Sequence, residues 1–330
     1  MKVLFIGGTG IISSACSRLA VARGIDLYLL NRGQSIRPVP EGAKVIHGDI
    51  RQSAEVQAAL AGHSFDAVVN FIVYNPEQLA NDIRLFSGRT GQYIFISSTS
   101  VYHKPASNLP ITESSLIANQ VWEYSQLKIA CEELINRAYR EQDFPATIVR
   151  PAHTYDETKS PIRGDYTVID RMRKGQPVIV PGDGTSVWVM THNSDFAKGL
   201  VGLLGNEHAI GEAFHITSDQ ILTWNQIYTT LARAAGVEHP NLVHVASDLM
   251  VAYQPEWHGT LLADKSHSLF FDNSKIKRFV PDFQATVPFS EGARRMLAWF
   301  DADPARRVVN QEINQIFDRI LSANQGAYPQ

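Results

Sequence analysis

Val3-Leu4-Phe5-Ile6-Gly7-Gly8-Thr9-Gly10-Ile11-Ile12-Ser13 is an apolar run that breaks on glycines and gives way to the amphipathic stretch Ala15–Arg23. The run reads as a buried strand, and the apolar spacing after it as a helix. Working outward, Leu27–Leu30, Val45–Ile46, Ala67–Val69, Tyr93–Ile96 and Thr147–Val149 repeat the strand signal, while Ala54–Ala61, Gln78–Phe86 and Leu127–Arg140 repeat the helical one. Strand and helix in alternation predict an α/β, doubly wound fold, a parallel sheet covered on both faces.

After Pro151 the rhythm loosens into segments rich in Pro, Gly, Thr and Asp, with helices expected at Val168–Lys174, Asp195–Leu204, Trp224–Ala235, Ser290–Trp299 and Val308–Leu321. This half reads as a smaller lobe over the sheet's C-terminal edge, with Phe214–Ile216 returning as a late strand. The boundaries drawn are 1–160 and 187–217 for the sheet domain, and 161–186 and 218–330 for the lobe.

Thirty basic against 33 acidic residues give a net charge of -3, and 44% hydrophobic with 19% charged excludes a disordered chain of 330 residues. That balance argues against a nucleic-acid partner, which calls for excess Lys and Arg. Cys16 and Cys131 make no disulfide framework, so a reducing, cytoplasmic location is expected. The glycines after Ile6 stop the N-terminal apolar run too soon for a signal peptide. No stretch nears the roughly 18 apolar residues of a membrane span, so a soluble protein is expected. The histidines fall in no ligand pattern, so no catalytic metal is expected, and Ser97–Ser98 lacks a hydrolase elbow.

A strand running into glycines and then a helix suits a dinucleotide. The glycines allow a tight turn, and the pyrophosphate then meets backbone N–H groups at the positive end of the helix. The carboxylate that would hold a ribose 2′-hydroxyl is expected about 20 residues on. Here Asn31 and Arg32 stand there instead. Arg32 can pair with a 2′-phosphate, which favours NADP over NAD, although a solvated turn residue or stacking on adenine is the alternative. Asp49, after the third strand, reads as an acceptor for the adenine amino group or as a helix N-cap.

Ser98 follows the strand ending at Ile96, and Tyr124 and Lys128 stand four apart on one helix face. An ammonium beside a phenol, with an oxidised nicotinamide nearby, favours phenolate and lowers the tyrosine pKa from about 10 towards working pH. Tyr124 then exchanges a proton with an alcohol or carbonyl while hydride moves to or from a nicotinamide, and Ser98 holds the same oxygen. The plain alternative is a surface tyrosine with a solvated lysine.

Taken together, the Gly7–Ser13 turn, Gly48–Asp49, Ser97–Tyr102, Tyr124/Lys128, Arg150–Pro151 and Asp183–Asp195 resemble the extended short-chain dehydrogenase/reductase superfamily, with its nucleotide-sugar epimerases and dehydratases. The resemblance implies a Rossmann NAD(P) domain with a C-terminal substrate lobe, a homodimer paired through the Tyr-Lys helix, and catalysis by Ser98, Tyr124 and Lys128. The cofactor set it implies is Gly7, Thr9, Gly10, Ile11, Ile12, Asn31, Arg32, Asp49, Ile50, Phe71, Tyr124, Lys128 and Pro151. The substrate set is Ser98, Thr99, Tyr124, His153 and Trp188.

The chain also departs from the pattern. Ser13 replaces the third turn glycine. Thr99-Ser100 replaces the acid pair of sugar dehydratases, which disfavours dehydration. Trp188 stands where an arginine usually meets a nucleotide diphosphate, so a smaller or less charged hydroxyl compound is expected. His153, in place of an asparagine, reads equally as an interior histidine, and Trp188 as core packing. The reading from another class is a non-catalytic Rossmann binding protein akin to chloroplast stem-loop RNA-binding proteins; the intact Tyr124 and Lys128 count against it.

Overall fold

The computed structural model describes residues 1–326; the last four residues of the expected lobe, 327–330, lie outside the described residues. Its first half follows the predicted alternation: β1 (Lys2–Ile6), α1 (Ile11–Ala22), β2 (Asp26–Asn31), β3 (Lys44–His47), α2 (Ser53–Ala59), β4 (Phe65–Asn70), α3 (Pro76–Phe86), β5 (Thr90–Ile96), α4 (Glu123–Gln142) and β6 (Ala146–Pro151). There follow β7 (His153–Tyr155), α5 (Tyr166–Arg173), β8 (Val178–Pro181), β9 (Val187–His192), α6 (Asn193–Leu203), β10 (Ala213–Ile216), β11 (Ile221–Thr223), α7 (Trp224–Ala234) and β12 (Leu242–Val245).

The main sheet has seven parallel strands in the order β10-β6-β5-β4-β1-β2-β3. Because Val3–Ile6 is buried on both faces, it can serve only as a central strand between two helical layers. One layer packs α1 and α6 against Phe5, Leu29 and Val69; the other packs α3 and α4 against Leu4, Val68 and Phe95. The late strand predicted at Phe214–Ile216 pairs in parallel with β6 and completes the sheet. The register matches Ile6 with Asn70, Asn70 with Phe95, and Ile96 with Val149. The turns after β1, β4, β5 and β6 therefore open along one edge, where open α/β sheets bind ligands.

Two smaller sheets stand apart from the main one, β11-β9-β7 and the parallel pair β12-β8. Val187–His192 thus lies in the three-stranded sheet, whereas α6 and β10 after it belong to the main layer. Around the small sheets Trp188, Trp224, Tyr228, Phe289 and Phe300 form a separate core. The last helix is corrected from Val308–Leu321 to Gln311–Gly326: a 3-10 turn at Pro304–Arg306 delays its start, and Ile316, Phe317 and Ile320 anchor it. No helix among the described residues is long and apolar enough to cross a membrane.

Candidate active site

Gly7, at φ 81°, turns the chain out of β1, and a Cβ there would lie 2.7 Å from Ile72. A Cβ at Gly8 would meet Leu29 at 2.5 Å. Ser13, in the departing position, stitches the turn: its Oγ donates to Gly7 O (2.5 Å) and accepts from Gly10 N (2.7 Å). Since α1 starts at Ile11, its first-turn N–H groups have no acceptor inside the helix and face an anion's usual place.

A crevice of about 360 Å³ opens here, lined by Gly7, Thr9, Gly10, Asn31, Arg32, Ser35, Asp49, Ile50 and Ile72 among others. Asn31 Oδ1 accepts from Gly8 N at 3.0 Å, while its buried Nδ2 has no partner. That orphaned donor and the glycine cradle fit a dinucleotide. The Asp49 carboxyl accepts three contacts from the Arg51 guanidinium and one from Arg51 N, which hold it down at about 2, and it lies 3.9 Å from Arg32. The N-cap role is excluded for Asp49, because α2 starts at Ser53 with Gln52 as its cap. Of the expected cofactor set, Phe71 packs edge-on against Phe5 at 5.4 Å and leaves the crevice wall to Ile72. Ile12 is packed against the same core, Ile11 O accepts from Asn193, and Pro151 is buried in β6.

A second cavity of about 250 Å³ brings together Ser98, Thr99, Ser100, Trp122, Tyr124, Ala152, His153, Trp188, Asp264 and Lys265. All five expected substrate residues are in it. α4 buries Ser125, Lys128, Ile129, Glu132 and Ile135 at helical spacing, which fixes the rotation that brings Tyr124 to the cavity. The Tyr124 phenol and Ser98 share the cavity, and Ser98 Oγ accepts from Ser100 N at 3.1 Å. Lys128 is buried, with Nζ donating to Val73 O (2.6 Å) and Ile96 O (2.8 Å) and lying 5.8 Å from the Tyr124 ring centre.

Burial pushes the Tyr124 phenol up to about 12, against Ser98, which lowers it. Two carbonyls fix the Lys128 ammonium, and burial brings Lys128 itself down to about 8. His153 is neutral: burial, reinforced by Lys265, lowers it to about 3. Trp188 is 2% exposed and stacks on Trp224 at 6.1 Å, so it is both core and cavity wall.

Sequence reasoning missed Ser100, Trp122, Asp264 and Lys265. The last two sit on a π-helical turn, Leu261–Lys265, held to the strand edge by Asn119 Nδ2, which donates to Ser100 O (2.8 Å) and Ala263 O (3.0 Å). Two charges closing the apolar run Leu261-Leu262-Ala263 were the available signal.

The profile of the NAD dependent epimerase/dehydratase family matches residues 3–217. The chain belongs to that family. It is therefore a nicotinamide-dependent enzyme of the extended short-chain dehydrogenase/reductase type. Among its relatives is the 2'-dehydrokanamycin reductase of Streptomyces kanamyceticus, 25% identical over 287 residues, covering 86% of this chain and 80% of that one. Another is the chloroplast stem-loop binding protein of 41 kDa b from Arabidopsis thaliana, 26% identical over 312 residues, covering 90% and 74%. The dTDP-glucose 4,6-dehydratase of Bacillus anthracis, solved in complex with NAD, shares the fold at a TM-score of 0.76 and 15% identity, over 93% of this chain and 98% of that one.

Proposed function

We propose that this enzyme transfers hydride between NADP and a secondary hydroxyl or ketone of a sugar-like compound, with Tyr124 as the acid and base. The placement of Tyr124 and Ser98 in one cavity, with Lys128 one turn along α4, carries the reading. With its pKa at about 12, Tyr124 is a protonated phenol at neutral pH, the form that gives a proton to a carbonyl oxygen. Ser98 Oγ holds that oxygen, and the Lys128 ammonium favours the phenolate left behind. Thr99 and neutral His153 supply further hydrogen bonds to hydroxyl groups. The nicotinamide, when bound, supplies or takes the hydride.

Carbonyl reduction is the direction these groups are set for, and the reductase among the relatives supports it. An epimerase would be the same step run forward and then back on the opposite face. The preference for NADP rests on Arg32, whose side chain is 52% exposed at the crevice and pairs with Asp49 only at 3.9 Å. We assign residues 1–160 and 187–217 to the cofactor domain and 161–186 and 218–330 to the substrate lobe, with the strand Val187–His192 crossing over to pair and pack in the lobe's small sheet. The reading further includes a homodimer through α4 and a cytoplasmic location, the latter supported by two free, buried thiols.

NADP+ at about 100 times its Kd contributes about 2.7 kcal/mol, a readily measured rise in melting temperature. Arg32→Ala is expected to cut NADP+ affinity at least about tenfold and leave NAD+ unchanged, as loss of a charge-assisted phosphate contact requires. Equal losses for both would overturn the preference. The stem-loop binding relative favours a second reading, a nucleic-acid binder. RNA binding by a chain whose melting temperature ignores both dinucleotides would support that reading instead.

A further inference from the structure

The loop after β2 carries an arginine that turns back into the protein. Arg37 Nε donates to Asp156 Oδ2 at 2.7 Å and Nη2 to Asp156 Oδ1 at 3.3 Å, and Nη2 also meets Thr158 Oγ1. The two charged side chains are 16% and 2% exposed, so the pair is largely out of water. Asp156 accepts two more bonds, from Thr158 N (2.9 Å) and Thr158 Oγ1 (2.7 Å), which fix its carboxylate in the turn after β7. A second pin lies two residues back. Ser35 Oγ accepts from Arg37 N (3.1 Å) and donates to Thr9 O (2.8 Å) in the glycine turn.

Polar contacts alone pin this stretch: Ile36, between the two pins, is 79% exposed, and Gly33 bends the chain before them at φ 75°. Gly33, Ser35 and Arg37 line one bank of the cofactor crevice and Gly7, Thr9 and Gly10 the other, so the bond from Ser35 to Thr9 joins the two banks. The Arg37–Asp156 pair carries the crossing on to the three-stranded sheet, where β7 pairs with β9. Asp156 is desolvated in the pair and regains its hydration when the pair parts, so parting costs much less than the gross attraction of two charges. Such a closure suits a lid that opens at each exchange of ligand.

We propose that Arg37 and Asp156 form a clasp that holds the β2–β3 loop across the crevice, so that a dinucleotide enters and leaves only when the clasp opens. The proposal rests on the crevice being the dinucleotide site and goes beyond the hydride transfer itself. Net reduction exchanges NADP+ for NADPH at every turnover, so its rate includes this opening. An epimerase that hands hydride back from one retained dinucleotide keeps the clasp shut throughout its cycle.

Stopped-flow fluorescence tests this by measuring NADPH entry (kon) and its displacement by excess NADP+ (koff) at constant ionic strength, in wild type, Arg37→Met and Asp156→Asn. Both variants are expected to raise kon and koff together by at least about tenfold, equivalent to about 1.4 kcal/mol off each barrier. Kd should stay within about twofold, because a clasp closed in both the empty and the loaded protein favours neither. Arg37 acting as a plain phosphate contact gives another pattern: Arg37→Met speeds release without speeding entry, and Asp156→Asn, which frees the guanidinium, slows release. That pattern, or rates unchanged in both variants, overturns the clasp. Ser35→Ala, at the exposed pin, replaces Asp156→Asn if that variant misfolds, and is expected to accelerate both rates. A wild type that binds neither NADPH nor NADH, with no shift in melting temperature, overturns the functional reading instead.

Discussion

Tyr124 and Lys128 share one helix face, but the protein treats them differently. The phenol stays at the cavity beside Ser98, whereas the ammonium is buried between two carbonyls. Tyr124→Phe is therefore expected to lower kcat by about 10²–10⁴, the usual worth of a placed acid or base, with dinucleotide binding unchanged. Stopped-flow reduction with NADPH and a thermal melt separate the two effects; undiminished turnover would remove Tyr124 from the chemistry. The spacing of this pair was legible because a helix puts positions four apart on one face. The burial that raises the phenol was not, since Tyr124 packs beside Trp122 and shares its cavity with Trp188 and the π-helical turn, segments that no local pattern connects. Phe71 and Ile72 show the same limit: adjacent at the end of β4, one faces the core and the other the crevice.

At the scale of elements, Asp82 of α3 ties two strands together. Its Oδ2 accepts from Asn70 Nδ2 at 2.5 Å, at the end of β4, and from the Tyr93 hydroxyl of β5. Asn70 Oδ1 in turn accepts from Ile72 N (2.8 Å), holding the chain that carries Val73 O to Lys128. Burial raises Asp82 from 3.8 to about 6, opposed by the bonds from Tyr93 and Asn70. The folded state thus binds more protons than the unfolded one between pH 3.8 and 6, and stability falls as pH rises through that window. Asp82→Asn keeps an acceptor and removes the ionisation. Relative to wild type it should gain up to about 3 kcal/mol in urea denaturation on going from pH 4 to pH 8. A gap that does not change with pH would show that Asp82 titrates normally. The strands themselves were plain in the sequence as apolar runs. The buried acid was not, because α3 reads as an ordinary amphipathic helix in which Asp82 counts as polar.

Across the whole molecule, one buried network joins the sheet to the chain that covers its edge. Glu132 of α4 accepts from Ser97 Oγ (2.5 Å) and from Arg150 Nε (2.9 Å) and Nη2 (2.6 Å) of β6. Arg150 Nη1 donates to Tyr102 OH (2.7 Å) and Glu113 O (2.9 Å), and Tyr102 meets His215 of β10 at 2.5 Å. Burial first, then Arg150, lowers His215 to about 3, so it stays neutral and can accept from the Tyr102 hydroxyl. With side chains 3% and 4% exposed, the Glu132–Arg150 pair is desolvated on both sides. Removing one partner by Glu132→Gln leaves a buried guanidinium unpaired and should cost about 3–5 kcal/mol in urea denaturation. The double variant Glu132→Leu/Arg150→Met replaces the pair with apolar volume and should recover most of that loss, since a buried ion pair is often no better than such packing. Activity should not recover with it. Without Arg150 the loop bearing Tyr102 and Glu113 keeps, of these bonds to the sheet, only those to His215 of β10 and loses those to β6, and that loop leads into Asn119, which fixes the turn bearing Asp264 and Lys265. The expected signature is a double variant that melts near wild type but has a raised KM. A double variant restored in both respects would mean that the network only fills space.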